Sequence, residues 1–306
     1  MFPKVNTPSS LNNWSSELNS TLFDLLHDDE ERSAIDSFIA KNTELNKLII
    51  DPTGNLSQIN QMIIDGEIND VDGRKIIALL GAPNPNPKFL NLILLGYVSS
   101  VEAYIRKLVR DLINLDPFVR KSCERLSIEF GSTFYQEIKM YPESLMDASN
   151  FIHSGSIKSE CSKFLSISIQ KFNSSSLEQA FSEFDSICQL RHCIVHRFGN
   201  IGVKNLMSLG MHTELLKDCI EKPISMDFTA IQKASKSTVN LVRELNNAIW
   251  NGIMERLRDA DPAIWTWDLR SDKAEFKKYL SVFYDSNLGN IDANLTDIYY
   301  KYKLTK

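Results

Sequence analysis

Residues 177–200 read LEQAFSEFDSICQLRHCIVHRFGN, and this stretch guides the interpretation of the whole chain. Apolar side chains recur in it at helical spacing, and Gly199 and Gly202 end that spacing. The preceding run, residues 173–176, is Asn-Ser-Ser-Ser, which supplies an N-cap. We therefore predict one helix here. The residues expected on its core side are Phe184, Ile187, Leu190, Ile194 and Val195.

The rest of the sequence also favours helices. The longest predicted helices cover residues 88–115 and 228–258, and each is followed by an Asp-Pro pair that stops a helix. Three prolines alternate between residues 83 and 87, where no helix can continue. We expect an all-α fold with an N-terminal helical region (1–82), a main helical domain (83–262) and a C-terminal helical appendage (263–306).

The composition indicates the broad class of the protein and its cellular compartment. The chain has 306 residues, of which 43% are hydrophobic and 24% charged, as in ordinary globular proteins. The five cysteines are odd in number and show no CxxC pair, which favours free thiols in a reducing compartment. No signal peptide opens the chain, and its longest strongly apolar run is too short to span a bilayer. We expect a cytoplasmic protein without a membrane partner.

A guanidinium and two imidazoles cluster near the end of the predicted helix 177–197. His192 and His196 are four residues apart and share a face, while Arg191 lies about 140° from His196. Imidazoles transfer protons near neutral pH, and a guanidinium binds phosphate oxygens. RNA cleavage without a metal needs a base for the 2′-OH proton, a cation for the charge on the phosphorane and an acid for the leaving 5′-oxygen. The 2′-OH of the RNA is itself the nucleophile, so no Ser or Cys nucleophile is required. The cluster is therefore a candidate ribonuclease site.

Two other interpretations compete with this one. Arg191 and the histidines could be ordinary structural residues of a helix. His192 and His196 also have the spacing of a zinc pair, but Cys193 stands where a zinc-protease helix has its Glu, and no third ligand is evident. We therefore expect neither a metal nor another cofactor.

The run also resembles the R-x(4–6)-H motif of the HEPN superfamily of all-helical proteins, in the form in which a polar residue follows the Arg. Flanking residues 184–190 and 194–197 agree with it, residues 97–105 look like the first family helix, and residues 223–225 are similar as well. The resemblance covers about residues 88–260.

This resemblance implies a helical bundle that pairs as a homodimer across a cleft and cleaves RNA without metal. By position, Arg191 and His196 would be the catalytic pair and His192 would assist. Glu102 and Arg197 would support them, Glu102 by orienting Arg191. Family members act in toxin–antitoxin and antiphage defence systems, so an antitoxin or sensor partner is also expected. The alternative is a non-catalytic helical binding or scaffold module of such a system.

Two further features bear on RNA binding. Residues 88–121 carry a net charge of +3 within a chain of net charge −5, which indicates either an RNA-binding surface or a solvated helix face. Trp265 and Trp267 could stack on bases, or anchor the appendage to the core.

Overall fold

The computed structural model describes residues 32–50, 87–168, 171, 173–210 and 218–305, and this part of the chain is all-helical. Its α-helices are α1 (Ala34–Ile50), α2 (Pro87–Leu115), α3 (Pro117–Cys123), α4 (Ser132–Tyr135), α5 (Tyr141–Leu145), α6 (Ser154–Leu165), α7 (Ser175–Arg197), α8 (Val203–Ser208), α9 (Phe228–Arg258), α10 (Leu269–Phe283) and α11 (Ile291–Lys303). Short 3-10 turns occupy Ile138–Met140 and Ser286–Leu288. The sequence also predicts helices at residues 11–25, 56–64 and 73–80, and these segments lie outside the described residues.

Helices α2, α7 and α9 form the centre of the fold because each buries a continuous apolar stripe. Helices α7 and α9 run antiparallel. Ser176 of α7 donates to Glu244 of α9 at 2.8 Å, and Ser237 of α9 donates to Glu183 of α7 at 2.8 Å. The pairing leaves the C-terminal end of α7 beside the start of α9, where the predicted motif residues lie.

The polar residues that were expected to delimit the helices do cap them. Ser174 accepts a hydrogen bond from the Leu177 amide at the start of α7. Asp116 accepts from the amides of Phe118 and Val119 at the start of α3. Its carboxylate is fully buried and is also paired with Arg256 of α9, which donates to the Leu165 carbonyl at 2.6 Å. This pair joins α9 to the ends of α3 and α6.

Helix α1 packs into the same core as α2 and α9. Its Asn42 accepts a hydrogen bond from Ser235 at 3.0 Å, and its Asn46 accepts one from the Tyr97 hydroxyl at 2.6 Å. The hydroxyl of Ser33 donates to the Tyr284 carbonyl near the other end of the chain at 2.7 Å. Residues 33–306 form one compact unit. In the described part of the chain, the three segments predicted from the sequence therefore share one core.

Aromatic packing and one buried carboxylate fix the C-terminal helices. Trp265 is buried and packs edge-on against Phe276, at 5.9 Å between ring centroids. Asp272 accepts hydrogen bonds from the amides of Thr266 and Trp267 and from the Tyr299 hydroxyl, at 3.0, 2.9 and 2.6 Å. The tryptophans thus anchor the appendage, which is one of the two roles expected for them.

Between α3 and α5 the chain exposes a group of large apolar side chains, which we call the 130–138 patch: Phe130, Phe134, Tyr135 and Ile138. Each of the four is at least 68% exposed. The segment is nevertheless held in place, because the Ser144 hydroxyl donates to Gln136 at 2.8 Å and accepts a hydrogen bond from the Ser132 hydroxyl at 2.9 Å.

Candidate functional site

The helix that carries the candidate residues, α7, ends at Arg197, one residue after His196. Phe198 takes a left-handed conformation with φ of 52°, and Gly199 follows with φ of +89°. The Gly199 amide donates to the Cys193 carbonyl at 3.0 Å, which closes the last turn. Residues 199–201 then pair with residues 221–224, so the only β-type bridge in the described residues lies here, between Asn200 and Pro223. The end of the motif helix is therefore well defined.

His192 and His196 lie side by side, as their spacing predicts. Their ring centroids are 4.7 Å apart with the rings tilted by 46°, and both side chains are exposed. Two imidazoles within one helical turn can act as proton donor and acceptor toward one bound group.

Arg191 lies on a different face of α7 from these histidines. It continues the face that carries the buried Phe184 and Cys188, and it is itself half-buried. Among the described residues, no acceptor is within hydrogen-bond distance of its guanidinium. Burial raises the pKa of the Cys188 thiol well above its ordinary value, Asp185 raises it further, and the charge of Arg191 opposes this rise. Arg191 thus lies close to the protein core, and its guanidinium remains accessible to a ligand.

Arg197 has a structural partner. Its guanidinium pairs with Glu221, and its side chain lies against Gly202, where an added Cβ would be 3.1 Å from its Cζ. Arg197 therefore links the C-terminal end of α7 to residues 221–224. The supporting role predicted for Arg197 is, in this single chain, one of holding the helix end.

Glu102 does not contact Arg191. Its carboxylate accepts a hydrogen bond from Arg106 at 3.1 Å, one turn along α2. The predicted role of Glu102 in orienting Arg191 is therefore not seen in the single chain. Other charges of the basic stretch 88–121 are also paired, because Lys107 lies 3.4 Å from Asp111 and Arg110 lies 2.9 Å from Glu143.

The cysteines of α7 lie inside the fold. Cys188 and Cys193 are buried, as expected for small apolar residues. Within the described ranges, no group of three or more His, Cys, Asp and Glu side chains is arranged to hold a metal ion.

Apolar side chains surround the candidate residues at the surface. Val195 is 46% exposed and Phe198 is 84% exposed. The prediction that Val195 faces the core is therefore wrong, because the face of α7 that is buried at Phe184 and Cys188 is exposed in its last turn. Lys88 lies over the Phe198 ring at 5.3 Å, and Val203 and Met207 are exposed on the neighbouring helix α8. The candidate site thus lies on a surface that is both cationic and apolar.

A groove of about 630 Å³ lies between α7 and α9. Leu94, Ile187 and Leu190 are among its apolar walls, and Lys233 and Lys236 are at its edge. Sequence reasoning missed this groove because its walls come from three separate helices. No single stretch of sequence brings them together.

Within the described residues, no helix is both long enough and apolar enough to cross a membrane. Comparison of the chain with protein-family models, with curated proteins and with solved structures finds no match. The inference about function therefore depends on the geometry of the motif helix and on the motif residues themselves.

Proposed function

We propose that this chain is a metal-independent endoribonuclease of HEPN type that acts as a homodimer. One observation carries the proposal. The exposed His192–His196 pair lies in the same two helical turns as Arg191, whose guanidinium has no acceptor among the described residues.

The proposed reaction uses the substrate's own hydroxyl as nucleophile. One imidazole takes the 2′-OH proton, and the 2′-oxygen attacks the adjacent phosphorus. The 5′-oxygen then leaves and receives a proton from a protonated imidazole, which gives 2′,3′-cyclic phosphate and 5′-OH ends. The planar guanidinium of Arg191 binds the non-bridging oxygens as their charge increases.

A second copy of the chain would complete the site. Arg191 and His196 point about 140° apart on one helix, so one copy does not readily direct both at the same phosphate. The exposed Val195 and Phe198 beside them are suitable for a contact between two identical helix ends. In the dimer, Arg191 of one copy would then face the histidines of the other.

We further propose a cytoplasmic role in toxin–antitoxin or antiphage defence, with an RNA substrate and an antitoxin or sensor protein as regulator. Five free cysteines fit a reducing compartment. The second candidate function is a non-catalytic helical binding module. The exposed apolar residues of α8, Val203 and Met207, favour it because they also fit a protein partner.

The direct test is RNA cleavage in excess EDTA by the wild type and by Arg191→Ala and His196→Ala. Each substitution should lower the rate about 100-fold or more, since each removes a group used in the transition state. His192→Ala should have a smaller effect. Arg125→Ala is the control, because Arg125 is exposed and loses the same charge. Loss of cleavage in EDTA, or full activity of both variants, would contradict the proposal.

A mixing experiment tests the dimer. Arg191→Ala and His196→Ala proteins are unfolded together, refolded and assayed, so that hybrid dimers form. If Arg191 and His196 act across the interface, hybrids regain part of the activity that neither variant has alone. Mass spectrometry verifies that hybrid dimers have formed. If the mixture is then as inactive as each variant alone, each site lies within a single chain, which contradicts the proposed dimer.

Expression in bacteria separates the enzyme from the binding module. A ribonuclease should arrest growth, and His196→Ala at equal expression should not. A binding module would leave RNA intact in both cases, and His196→Ala would change only stability or partner binding.

A further inference from the structure

A second cavity, of about 660 Å³, opens away from the motif helix, between α1, α9, α10 and α11. Its volume is within the range of small-molecule sites, about 300–1,000 Å³. Ile35, Leu280 and Ile298 are among its apolar walls. None of its lining residues belongs to α7 or α8. The cavity is therefore separate from the candidate ribonuclease site.

An aromatic side chain in a fixed orientation forms part of the wall. Trp250 is half-buried, and its ring packs edge-on against Phe283 at 5.4 Å and Phe276 at 6.1 Å between centroids. Phe283 lines the same cavity. Because these contacts hold the indole in place, it offers a preformed surface to a flat apolar molecule at little cost in side-chain entropy.

The cavity also has one cationic group with available donors. Arg243 is half-exposed at its edge, and among the described residues no acceptor is within hydrogen-bond distance of its guanidinium. Its guanidinium forms a long ion pair with the carboxylate of Asp285, which also lines the cavity, at 3.7 Å, and its remaining N–H groups have no acceptor in the described part of the chain. That carboxylate already accepts hydrogen bonds from the Asn287 amide and side chain, at 2.9 and 2.8 Å. Arg243 can therefore bind an anionic group without losing a hydrogen bond.

The other acidic group of this region is also occupied. Asp36 accepts a hydrogen bond from the Ser286 amide at 2.9 Å. The remaining polar groups of the lining are uncharged: the Tyr284 hydroxyl, the indole N–H of Trp250, and amides such as that of Asn247, which can donate as well as accept. The guanidinium is thus the one charged group of the described lining that lacks a hydrogen-bond partner.

From the aromatic wall and the available guanidinium, we propose that this cavity binds a planar aromatic molecule with one carboxylate or sulfonate group. The ring system would lie against Trp250 and Phe283, and the anionic group would accept hydrogen bonds from Arg243. This proposal is independent of the ribonuclease activity.

Titration with the fluorescent probe anilinonaphthalene sulfonate tests it on the full chain. We expect saturable binding of one probe per chain, displaced by indole acetate. Arg243→Gln should weaken the probe about tenfold, as expected for a lost charge-assisted hydrogen bond. The same variant should bind the uncharged parent, phenylnaphthylamine, within twofold of the wild type. Arg270→Gln removes an equal charge from an exposed site outside the lining and should change neither affinity.

A second variant tests the position of the site. Asn247 is exposed at the mouth, so Asn247→Trp should occupy the cavity without disturbing the fold and weaken both probes at least tenfold. The proposal is overturned if no one-to-one binding occurs or if indole acetate does not displace the probe. It is also overturned if Arg243→Gln acts no more strongly than Arg270→Gln, or if Asn247→Trp leaves both probes bound as before.

Discussion

Asp272 shows how one buried carboxylate can organise a terminus. It is 5% exposed and accepts hydrogen bonds from two backbone amides and two hydroxyls. Burial raises the pKa of its carboxyl, but the hydrogen bonds from Tyr299, Thr266 and Trp267 lower it by more, so the net pKa lies below 3.8. The ionised form is therefore the one that the fold stabilises.

Asp272→Asn should destabilise the protein by about 1–3 kcal/mol. The substitution replaces one carboxylate oxygen, which accepts hydrogen bonds, with an NH₂ group, which is itself a donor and faces the N–H and O–H donors around it. The native pKa is depressed, so the stability from ionisation is present above the unfolded pKa and is lost as pH falls through the lower native pKa. Urea unfolding at neutral pH and near pH 3 checks both points. Asp292→Asn, at an exposed ion pair, should change stability by less than about 0.5 kcal/mol. Equal effects of the two substitutions would contradict this account.

The cysteines should differ strongly in reactivity. Cys161 is fully buried, and burial, with a smaller contribution from Glu160, raises the pKa of its thiol to about 12. Cys219 is only half-buried. Iodoacetamide at pH 8 should therefore label Cys219 first, and Cys161 only after denaturation, because the thiolate is the reactive form. Peptide mass spectrometry over time measures this order, and early labelling of Cys161 in the native protein would contradict it.

At the scale of elements, two helical glycines mark close approaches that have different tolerance. At Gly252 of α9, an added Cβ would lie 2.9 Å from Cγ2 of the buried Ile167. At Gly96 of α2, it would lie 2.8 Å from the end of the Leu45 side chain, which is partly exposed. The distances are similar, but only Leu45 has room to move.

Gly252→Ala should therefore destabilise the protein by about 1 kcal/mol, since the overpacking exceeds the gain in helix propensity. Gly96→Ala should be neutral or stabilising by up to about 1 kcal/mol. Thermal unfolding of both variants with the wild type makes the comparison. The interpretation fails if the two substitutions have the same effect.

The elements also show what sequence alone can predict. Helices α2 and α9 begin and end within one residue of the predicted positions, because long apolar periodicity and Asp-Pro stops act locally. The sequence also predicts helices over residues 118–131 and 133–141, but the structure has only short helices between residues 117 and 145, since segments this short depend on contacts elsewhere. The His192–His196 pair followed from helical spacing. The partner of Arg197, Glu221, lies 24 residues away, and nothing local indicates it.

At the scale of the whole molecule, the described residues on either side of the proline stretch 83–87 share one core. Helix α1 buries Ile35 and Phe38 in the core that also contains Leu90 and Phe276. A fragment of residues 83–262 would leave the large apolar side chains of this core uncovered on two sides.

We expect the 83–262 fragment to lack cooperative unfolding and near-ultraviolet dichroism, because it loses both α1 and the C-terminal helices. A fragment of residues 33–306 should retain both signals, since it keeps the compact unit whole. Urea titration of the two fragments is the measurement. Cooperative unfolding of residues 83–262 would establish that segment as an autonomous domain and contradict this expectation.

The 130–138 patch has a practical consequence for handling the protein. Because its four large apolar side chains are held at the surface, we expect this patch to mediate adhesion between chains in concentrated solution and to plastic or chromatography media. Within residues 126–138 the charged side chains are Glu129 and Glu137, and Glu137 pairs with Lys139 at 3.3 Å. Colloidal behaviour should consequently vary with salt type and detergent much more than with small changes in pH, and Phe134 and Tyr135 are the positions to make polar when crystals or concentrated samples are needed.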